Sequence, residues 1–462
     1  MTKDMRSWIG QLEEAGELGR ISDAIDLKSE MGSALSVSKE KALLFENIKD
    51  HPGQRVLGQA PANMRHVGIA FGTEKEKVTT KFASAIDAGL IKCQMVDSGP
   101  VKDVVLTGSD VRLMDLPIHL VGEKDKAPFI TSGLCITKDP ESGIRNLAFH
   151  RLQLKLDNKT GIMMQPERHS ALIYKKYEAM NEPMPIAVMI GHHPAYYFAA
   201  AYTGPFRLDE LEVAGALLGE PVQLVKCESV PLEVPAHAEI ILEGHVPPNY
   251  REEEGPFAEF QNYYAAEREN PVFNVTAITM RKDAIYKTLQ PQPEGIFYSS
   301  VPMAAALFRD LKNTAGYVDL KDVYCNWGTL FGVVVKMTPR FYGEARHVLL
   351  AALSSVYLHQ KIAIAVDEDV DIYDPQDVAW AITTRVDPAT DVTIVPGVRG
   401  HPLDLSAPEL RKPGVHVWQR LGSRMLIDAT KPPTCDPEQR GLFDRTRPPT
   451  RQQGQMVSSG KR

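Results

Sequence analysis

Hydrophobic positions recur at helical spacing from Met5 to Leu18, where Trp8, Ile9, Leu12 and Leu18 fall roughly on one face and Gly19 supplies a stop. A second helical period runs from Glu74 to Gly89, and short β-rich runs such as Val101–Leu106 alternate with these periods, so residues 1–117 read as a small α/β domain. From about Ile118 to Gln290 strands dominate. Arg145–Leu156, Glu239–Val246 and Val272–Met280 alternate or run β-branched, and Arg281-Lys282-Asp283 reads as the turn into Ala284–Leu289. Helical spacing interrupts this zone at Ser170–Met180 and Leu208–Leu218, which predicts an antiparallel sheet or barrel with inserted helices over 118–300. After about Pro302, helical Tyr342–Gln360, strand-like Lys361–Val366, helical Pro375–Val386 and strand-like Asp391–Pro396 follow in turn. That order is βαβ, and it predicts a parallel sheet in a C-terminal α/β domain over 301–433. Residues 434–462 are rich in Pro, Arg and Gln with almost no core positions, as expected of a mobile tail or an arm that docks on a partner subunit.

The chain of 462 residues exceeds what one core usually holds, in keeping with about three domains of mixed α/β (α+β) class. Hydrophobic residues at 43% and charged residues at 24% are those of an ordinary globular protein. A net charge of -7 and a pI near 6.0 argue against nucleic acid or an anionic membrane as the main partner. The five cysteines (93, 135, 227, 325 and 435) are scattered, odd in number and without a Cys-x-x-Cys pair, which reads as reduced thiols in a cytoplasmic protein. The charged, amphipathic N-terminus is not a signal peptide, and the longest apolar region, Ile186–Ala201, is broken by Gly191-His192-His193-Pro194, too short and polar to span a bilayer.

Candidate chemistry centres on Glu254-Gly-Pro-Phe-Ala-Glu259, where Gly255-Pro256 enforces a turn between two carboxylates. Neighbouring acids push their pKa values apart, so one can stay charged while the other carries a proton. Alone, this is also what a solvated acidic loop looks like. In Asn146-Leu-Ala-Phe-His-Arg151 a strand pattern carries an arginine that is costly to bury unless it meets an anion. The odd spacing of Asn146 and Arg151 would put them on opposite faces of an unbroken strand, so either Asn146 precedes the strand or a bulge re-aims it. Arg168-His169 stands before one helical patch and Glu210 opens another. An amide, an imidazole and a carboxylate (Asn146, His169, Glu210) could form an open site for a divalent ion such as Mn2+ or Mg2+. Spacing alone also allows each a structural role.

Asn146-Leu-Ala-Phe-His-Arg151, Arg168-His169, Glu210 in Asp-Glu-Leu-Glu-Val-Ala-Gly, Val225-Lys-Cys-Glu228 and Glu254-Gly-Pro-Phe-Ala-Glu259 follow the order and spacing of the UbiD family of reversible decarboxylases, which the chain resembles over most of its length. Val366-Asp-Glu-Asp-Val-Asp371, Trp380-Ala-Ile-Thr-Thr-Arg385 and Ile427-Asp-Ala-Thr-Lys431 resemble it too. The Asp367-x-Asp369-x-Asp371 spacing is no calcium loop, because Ile372 stands where an EF-hand needs its turn glycine.

The resemblance implies a prenylated-FMN enzyme with a split-barrel cofactor domain between two α/β regions, made with the help of a flavin prenyltransferase. It implies that Asn146, His169 and Glu210 hold a divalent metal, commonly Mn2+ with a companion K+, that grips the cofactor phosphate. It also implies that Asn146, Leu147, Ala148, Phe149, His150, Arg151 and Arg168 line the cofactor, and that Arg151, Glu254 and Glu259 form the catalytic network. The implied reaction is reversible, non-oxidative loss of CO2 from an unsaturated acid through a covalent adduct with the cofactor. Arg151 would orient the carboxylate and Glu259 would deliver the proton. The family also implies a homodimer or homohexamer, with the C-terminal region and tail as the expected interface. Ala258 stands where glycine is usual, and Gln290–Tyr298 lacks a Gly-Arg-Pro-Pro pattern common near the substrate pocket, so substrate identity does not transfer. Aromatic or heteroaromatic acids are favoured over acrylic ones, and His192 and His193 read as structural. Two alternatives remain: a flavin-independent metal-dependent lyase or hydrolase, and a non-catalytic subunit of a carboxylase complex.

Overall fold

Asp4 starts the first helix, Met5–Glu14, through a reciprocal capping box: Ser7 N–H donates to the Asp4 carboxylate at 2.9 Å and Asp4 N–H to Ser7 Oγ at 3.0 Å. Its buried face, Met5, Trp8, Ile9 and Leu12, packs on a sheet of four strands, Leu18–Ile21, Ala42–Phe45, Arg55–Gly58 and, from much later in the chain, Ile285–Lys287. The computed structural model describes residues 3–314, 318–410 and 420–446.

The central unit is a ten-stranded sheet with antiparallel pairing throughout. Its path runs Phe129–Ile130, Leu152–Leu156, Lys159–Ile162, Arg268–Met280, Ile240–Val246, Met184–Ile190, Leu134–Lys138, Arg145–Phe149. The thirteen-residue strand Arg268–Met280 also pairs with Arg251–Glu254 and Val104–Thr107. Phe129–Ile130 begins the path and Leu134–Lys138 lies near its far end, although only residues 131–133 separate them in sequence. The sheet therefore curls back on itself without closing. Both faces are covered: along Met184–Ile190, Ala187 and Met189 enter one core while Ile186, Val188 and Ile190 enter another. Each of these larger side chains contributes about 1.5–3 kcal/mol by leaving water.

A nineteen-residue helix, Ile296–Thr314, leads into the C-terminal unit. Its five strands lie in the order Asp319–Tyr324, Gly332–Thr338, Ile362–Val366, Arg420–Ala429, Val392–Gly400; the middle three are parallel and the outer pairs antiparallel, so parallel pairing is present but the expected partner of 361–366, the strand at 391–396, is instead an antiparallel edge beyond Arg420–Ala429. The helix expected over 342–360 is shorter, Glu344–Leu353. Ser354 and Ser355 end it: Ser354 Oγ donates back to Leu350 O at 3.0 Å and Ser355 Oγ to Gln360 Oε1 at 2.9 Å, the competing bonds that disfavour serine inside helices.

The first part of the expected tail is docked on its own chain. Arg440 pairs with buried Asp367, and the Arg445 guanidinium lies 3.7 Å from the centre of the Trp380 ring. Residues 447–462 of that expectation lie outside the described residues. His193 accepts from Ala195 N–H at 3.2 Å to cap the helix Pro194–Ala201, and buried His192 stacks on Tyr196 at 3.7 Å, so both are structural. None of the five cysteines forms a disulfide. No described helix is long and apolar enough to cross a membrane.

A side chain at Gly244, beside the irregularity where Ile240–Val246 pairs with Arg268–Met280, would place Cβ 1.9 Å from Asn274 O. Gly244→Ala is expected to cost about 1–3 kcal/mol and to lower the thermal unfolding midpoint, measurable by scanning fluorimetry.

Candidate active site

The strand Arg145–Phe149 ends one residue before His150, and the next begins at Leu152. Asn146 lies inside the first strand and Arg151 in the break after it, so the odd spacing needs neither the early strand start nor the bulge that the sequence allowed. The break is fixed by His150, whose N–H donates to Gly133 O at 3.3 Å and whose Nδ1 faces Met163 O at 3.0 Å.

Glu210 is the first residue of the helix Glu210–Leu218, behind the capping carboxylate of Asp209. Instead of facing solvent it turns onto the strand, accepting from Leu147 N–H at 2.8 Å and Asn146 Nδ2 at 3.0 Å, with His169 Nδ1 at 3.8 Å. Ser170 Oγ donates to Asn146 Oδ1 at 2.7 Å. His169 begins the helix His169–Met180, so two positive helix ends converge on one buried carboxylate. Burial nevertheless raises the Glu210 pKa, against the lowering effect of His169 and Leu147 N–H. A buried carboxylate in that condition suits a cation. Among the described residues no three His, Cys, Asp or Glu side chains gather as a metal site; the expected set draws only His169 and Glu210 from those types.

The second cluster is the acid pair. The strand Arg251–Glu254 alternates, so Glu252 pairs with Lys159 at the rim, Glu253 is exposed and Glu254 is fully buried. Gly161 leaves room for it: a Cβ there would lie 3.1 Å from Glu254 Cγ. Glu254 grips Arg151 with both oxygens, Nε at 2.9 Å and Nη2 at 2.8 Å, and takes a further bond from Asn270 Nδ2 at 3.0 Å. Glu259 takes only the remaining nitrogen, Nη1. The guanidinium packs 4.8 Å from the Phe257 ring centre, and Phe257 in turn lies 4.7 Å from Phe129. Burial raises the Glu259 pKa; Arg151 lowers it, and Glu254 and Asp125 raise it further. Burial also opposes the charge of Arg151, but the two carboxylates more than compensate, and its pKa rises.

One cavity of about 300 Å³ brings these clusters together. Asn146, Leu147, Ala148, Phe149, His150, Arg151, Arg168, His169, Glu210 and Glu259 all line it, while Glu254 stands behind Arg151. Arg168 bonds only to neutral groups, Thr203 Oγ1 at 3.3 Å and Gln165 Oε1 at 3.5 Å, and burial lowers its pKa. It is a desolvated cation facing the cavity without a carboxylate among the described residues, and His150 Nε2 is buried there with no hydrogen-bond partner. Both fit a phosphorylated, heteroatom-rich ligand. Sequence reasoning missed the opposite wall, Ser299, Met303, Tyr357 and His359. Tyr357 and His359 follow the two serines that end the helix early, and that serine pair was the available signal.

Three family models match the chain, those of the N-terminal (residues 9–86), Rift-related (94–293) and C-terminal (298–429) domains of 3-octaprenyl-4-hydroxybenzoate carboxy-lyase. The fold is that of the UbiD-class decarboxylases, and the chain belongs to the UbiD family. It is 32% identical over 402 residues to anhydromevalonate phosphate decarboxylase of Methanosarcina mazei, covering 86% of this chain and 91% of that one. HmfF from Pelotomaculum thermopropionicum, a UbiD-class enzyme solved with FMN, superimposes with a TM-score of 0.87 at 32% identity, covering 96% of this chain and 97% of that one. An evolved dimeric form of HmfF was solved with prFMN. The 3,4-dihydroxybenzoic acid decarboxylase AroY of Klebsiella pneumoniae matches with a TM-score of 0.88 at 27% identity, covering 97% and 98%.

The raised Glu259 pKa gives a signed pH effect. As pH rises past the ordinary glutamate value of about 4.3, the unfolded chain releases this proton before the folded one, so Glu259 costs stability from there up to its folded pKa. Glu259→Gln is expected to gain thermal stability relative to wild type across that window and to show a constant offset above it, measured as unfolding midpoint against pH.

Proposed function

We propose that the chain removes CO2 reversibly from an unsaturated, aromatic or heteroaromatic carboxylic acid, using prFMN, and that Arg151, Glu254 and Glu259 carry the chain's share of the chemistry. The observation that carries this reading is the asymmetry of the pair: Glu254 holds Arg151 through two hydrogen bonds and faces away from the cavity, whereas Glu259 makes one and lines it. When bound, the cofactor supplies the electron sink that loss of CO2 requires. Arg151 offers its guanidinium to the substrate carboxylate and stays charged because Glu254 remains with it. Glu259, whose pKa is raised by burial and by the nearby Glu254 and Asp125 against the lowering effect of Arg151, gives its proton to the carbon that has lost CO2 and recovers one from water. The sum is acid anion plus proton going to CO2 and the protonated product.

Asn146, His169 and Glu210 would hold Mn2+ or Mg2+, with K+ close by, against the cofactor phosphate. Here the Asn146 amide nitrogen donates to Glu210, so holding the ion would require the amide to turn its oxygen inward, the cation replacing that hydrogen bond. Support for an aromatic substrate comes from AroY, and support for a dimer from the evolved form of HmfF. A second reading, a phosphorylated non-aromatic unsaturated acid, is favoured by the Methanosarcina mazei relative and by Arg168, a cation without a carboxylate.

The test is anaerobic reconstitution with prFMN, Mn2+ and K+, followed by a screen of benzoic, furoic and phosphorylated unsaturated acids for CO2 release. Cofactor uptake with turnover of at least one acid is expected; neither would overturn the reading. Glu259→Gln should retain the flavin spectrum yet lose turnover and solvent H/D exchange by about 100- to 10,000-fold. Arg168→Gln should raise KM selectively for a phosphorylated acid if the second reading holds.

A further inference from the structure

Residues 259–263, which carry Glu259, form a tight turn closed by its own main chain: Glu259 N–H donates to Tyr263 O and Asn262 N–H to Glu259 O, both at 3.0 Å. The strands it joins, Phe257–Ala258 and Tyr264–Ala265, are two residues each, too short to hold a hairpin by themselves. Among the described residues, every hydrogen bond that leaves Phe260, Gln261 or Asn262 for another element ends on Gln292. Its amide nitrogen donates to Phe260 O, and its amide oxygen accepts from Asn262 Nδ2 at 3.2 Å. Gln261 adds nothing, since both ends of its buried amide lack partners.

Gln292 is itself on a firm mount. Gly295 N–H closes the segment Pro291–Gly295 onto Gln290 O at 2.9 Å. Two residues past Gln292, fully buried Glu294 pairs with equally buried Lys287 and accepts from the main-chain N–H groups of Gln59 at 3.0 Å, Ala60 at 3.1 Å and Gln290 at 3.3 Å. A buried ion pair whose remaining lone pairs are satisfied by main-chain donors resists displacement, because moving either partner strands the other charge. The N-terminal sheet thus anchors Glu294, and Glu294 anchors the segment whose next side chain but one holds the turn.

We infer that Gln292 is the positioning residue of the proton donor: its side-chain amide clasps the 259–263 turn from outside the cavity and holds the Glu259 carboxyl against Arg151. The inference rests on the reading of Glu259 as donor. Gln292 does not line the cavity, so it acts through the turn alone.

Two variants test it in the reconstituted full-length enzyme. Gln292→Met keeps the length of the side chain and removes both hydrogen-bonding groups. Asn262→Gly removes the partner amide and suits the left-handed backbone there, φ 61°. Each is expected to lower kcat about 10- to 100-fold with KM and the flavin spectrum unchanged, and the double variant should fall no further than the worse single one, because both remove one clasp. A loosened turn admits water beside Glu259 and relieves the burial that raises its pKa, whereas the charged groups facing it, Arg151, Glu254 and Asp125, are untouched. The basic limb of the kcat profile should therefore move to lower pH. The same shift is read without substrate from the protonated-carboxyl band of Glu259 in infrared difference spectra, assigned with Glu259→Gln. Wild-type kcat in both variants, or lost activity with limb and band unmoved, would overturn the inference. If wild-type holoenzyme turned over no acid, the reaction proposed above would fall, and the infrared shift would still decide whether Gln292 holds Glu259.

Discussion

The Arg151 guanidinium is a full charge sealed in the protein interior, and the site is arranged around keeping it there. Removing such an ion from water costs several kcal/mol, which only closely fitted opposite charge offsets. Glu254 provides that fit with two parallel bonds, and Asn270 fixes Glu254 from behind. Once one carboxylate has neutralised the arginine, the second is surplus in charge but not in geometry. Glu259 accordingly meets the arginine through a single nitrogen. The same logic explains the aromatic surround of Phe129 and Phe257, which limits water without competing for hydrogen bonds.

Much of this was legible in the chain. The period-two runs of the central zone predict an antiparallel sheet, which is present, and the helix–strand alternation after Pro302 predicts parallel pairing, which is present for Ile362–Val366 but with Gly332–Thr338 and Arg420–Ala429 rather than with the strand at 391–396. The turn at Gly255-Pro256 announces two acids held near each other. Within the run 252–254, strand parity sets Glu253 apart from Glu252 and Glu254, but it does not say which of those two is buried; that depends on Glu254 reaching Arg151 while Glu252 stays at the rim with Lys159. Asn146, His169 and Glu210 were legible as chemistry but not as a place, because they are brought together by two helix starts and one strand far apart in sequence.

What was not legible depends on tertiary contacts. The strand Ile285–Lys287 lies inside the zone read as central, 118–300, yet completes the N-terminal sheet, a choice that local pattern cannot express. The cavity wall at Tyr357 and His359 was hidden inside a helix expected to continue, since a serine pair weakens a helix without specifying where the chain goes next. The docking of residues 434–446 rests on Arg440 and Arg445, which by composition alone read as part of a solvated tail, meeting Asp367 and Trp380 of the C-terminal unit.

The strand Arg268–Met280 hydrogen-bonds to four other strands, which begin at positions 104, 159, 240 and 251. Everything that makes the cavity floor, from Asn146 through Glu259, is synthesised before it. Without it the sheet falls into two pieces, Phe129–Ile130 with Leu152–Leu156 and Lys159–Ile162, and Ile240–Val246 with Met184–Ile190, Leu134–Lys138 and Arg145–Phe149, which this one segment joins. Assembly of the site is accordingly a late, nonlocal event, of the kind that slows folding. A ribosome paused before residue 280 would hold a chain with residues 146 to 259 already made and the sheet that positions them still in two pieces.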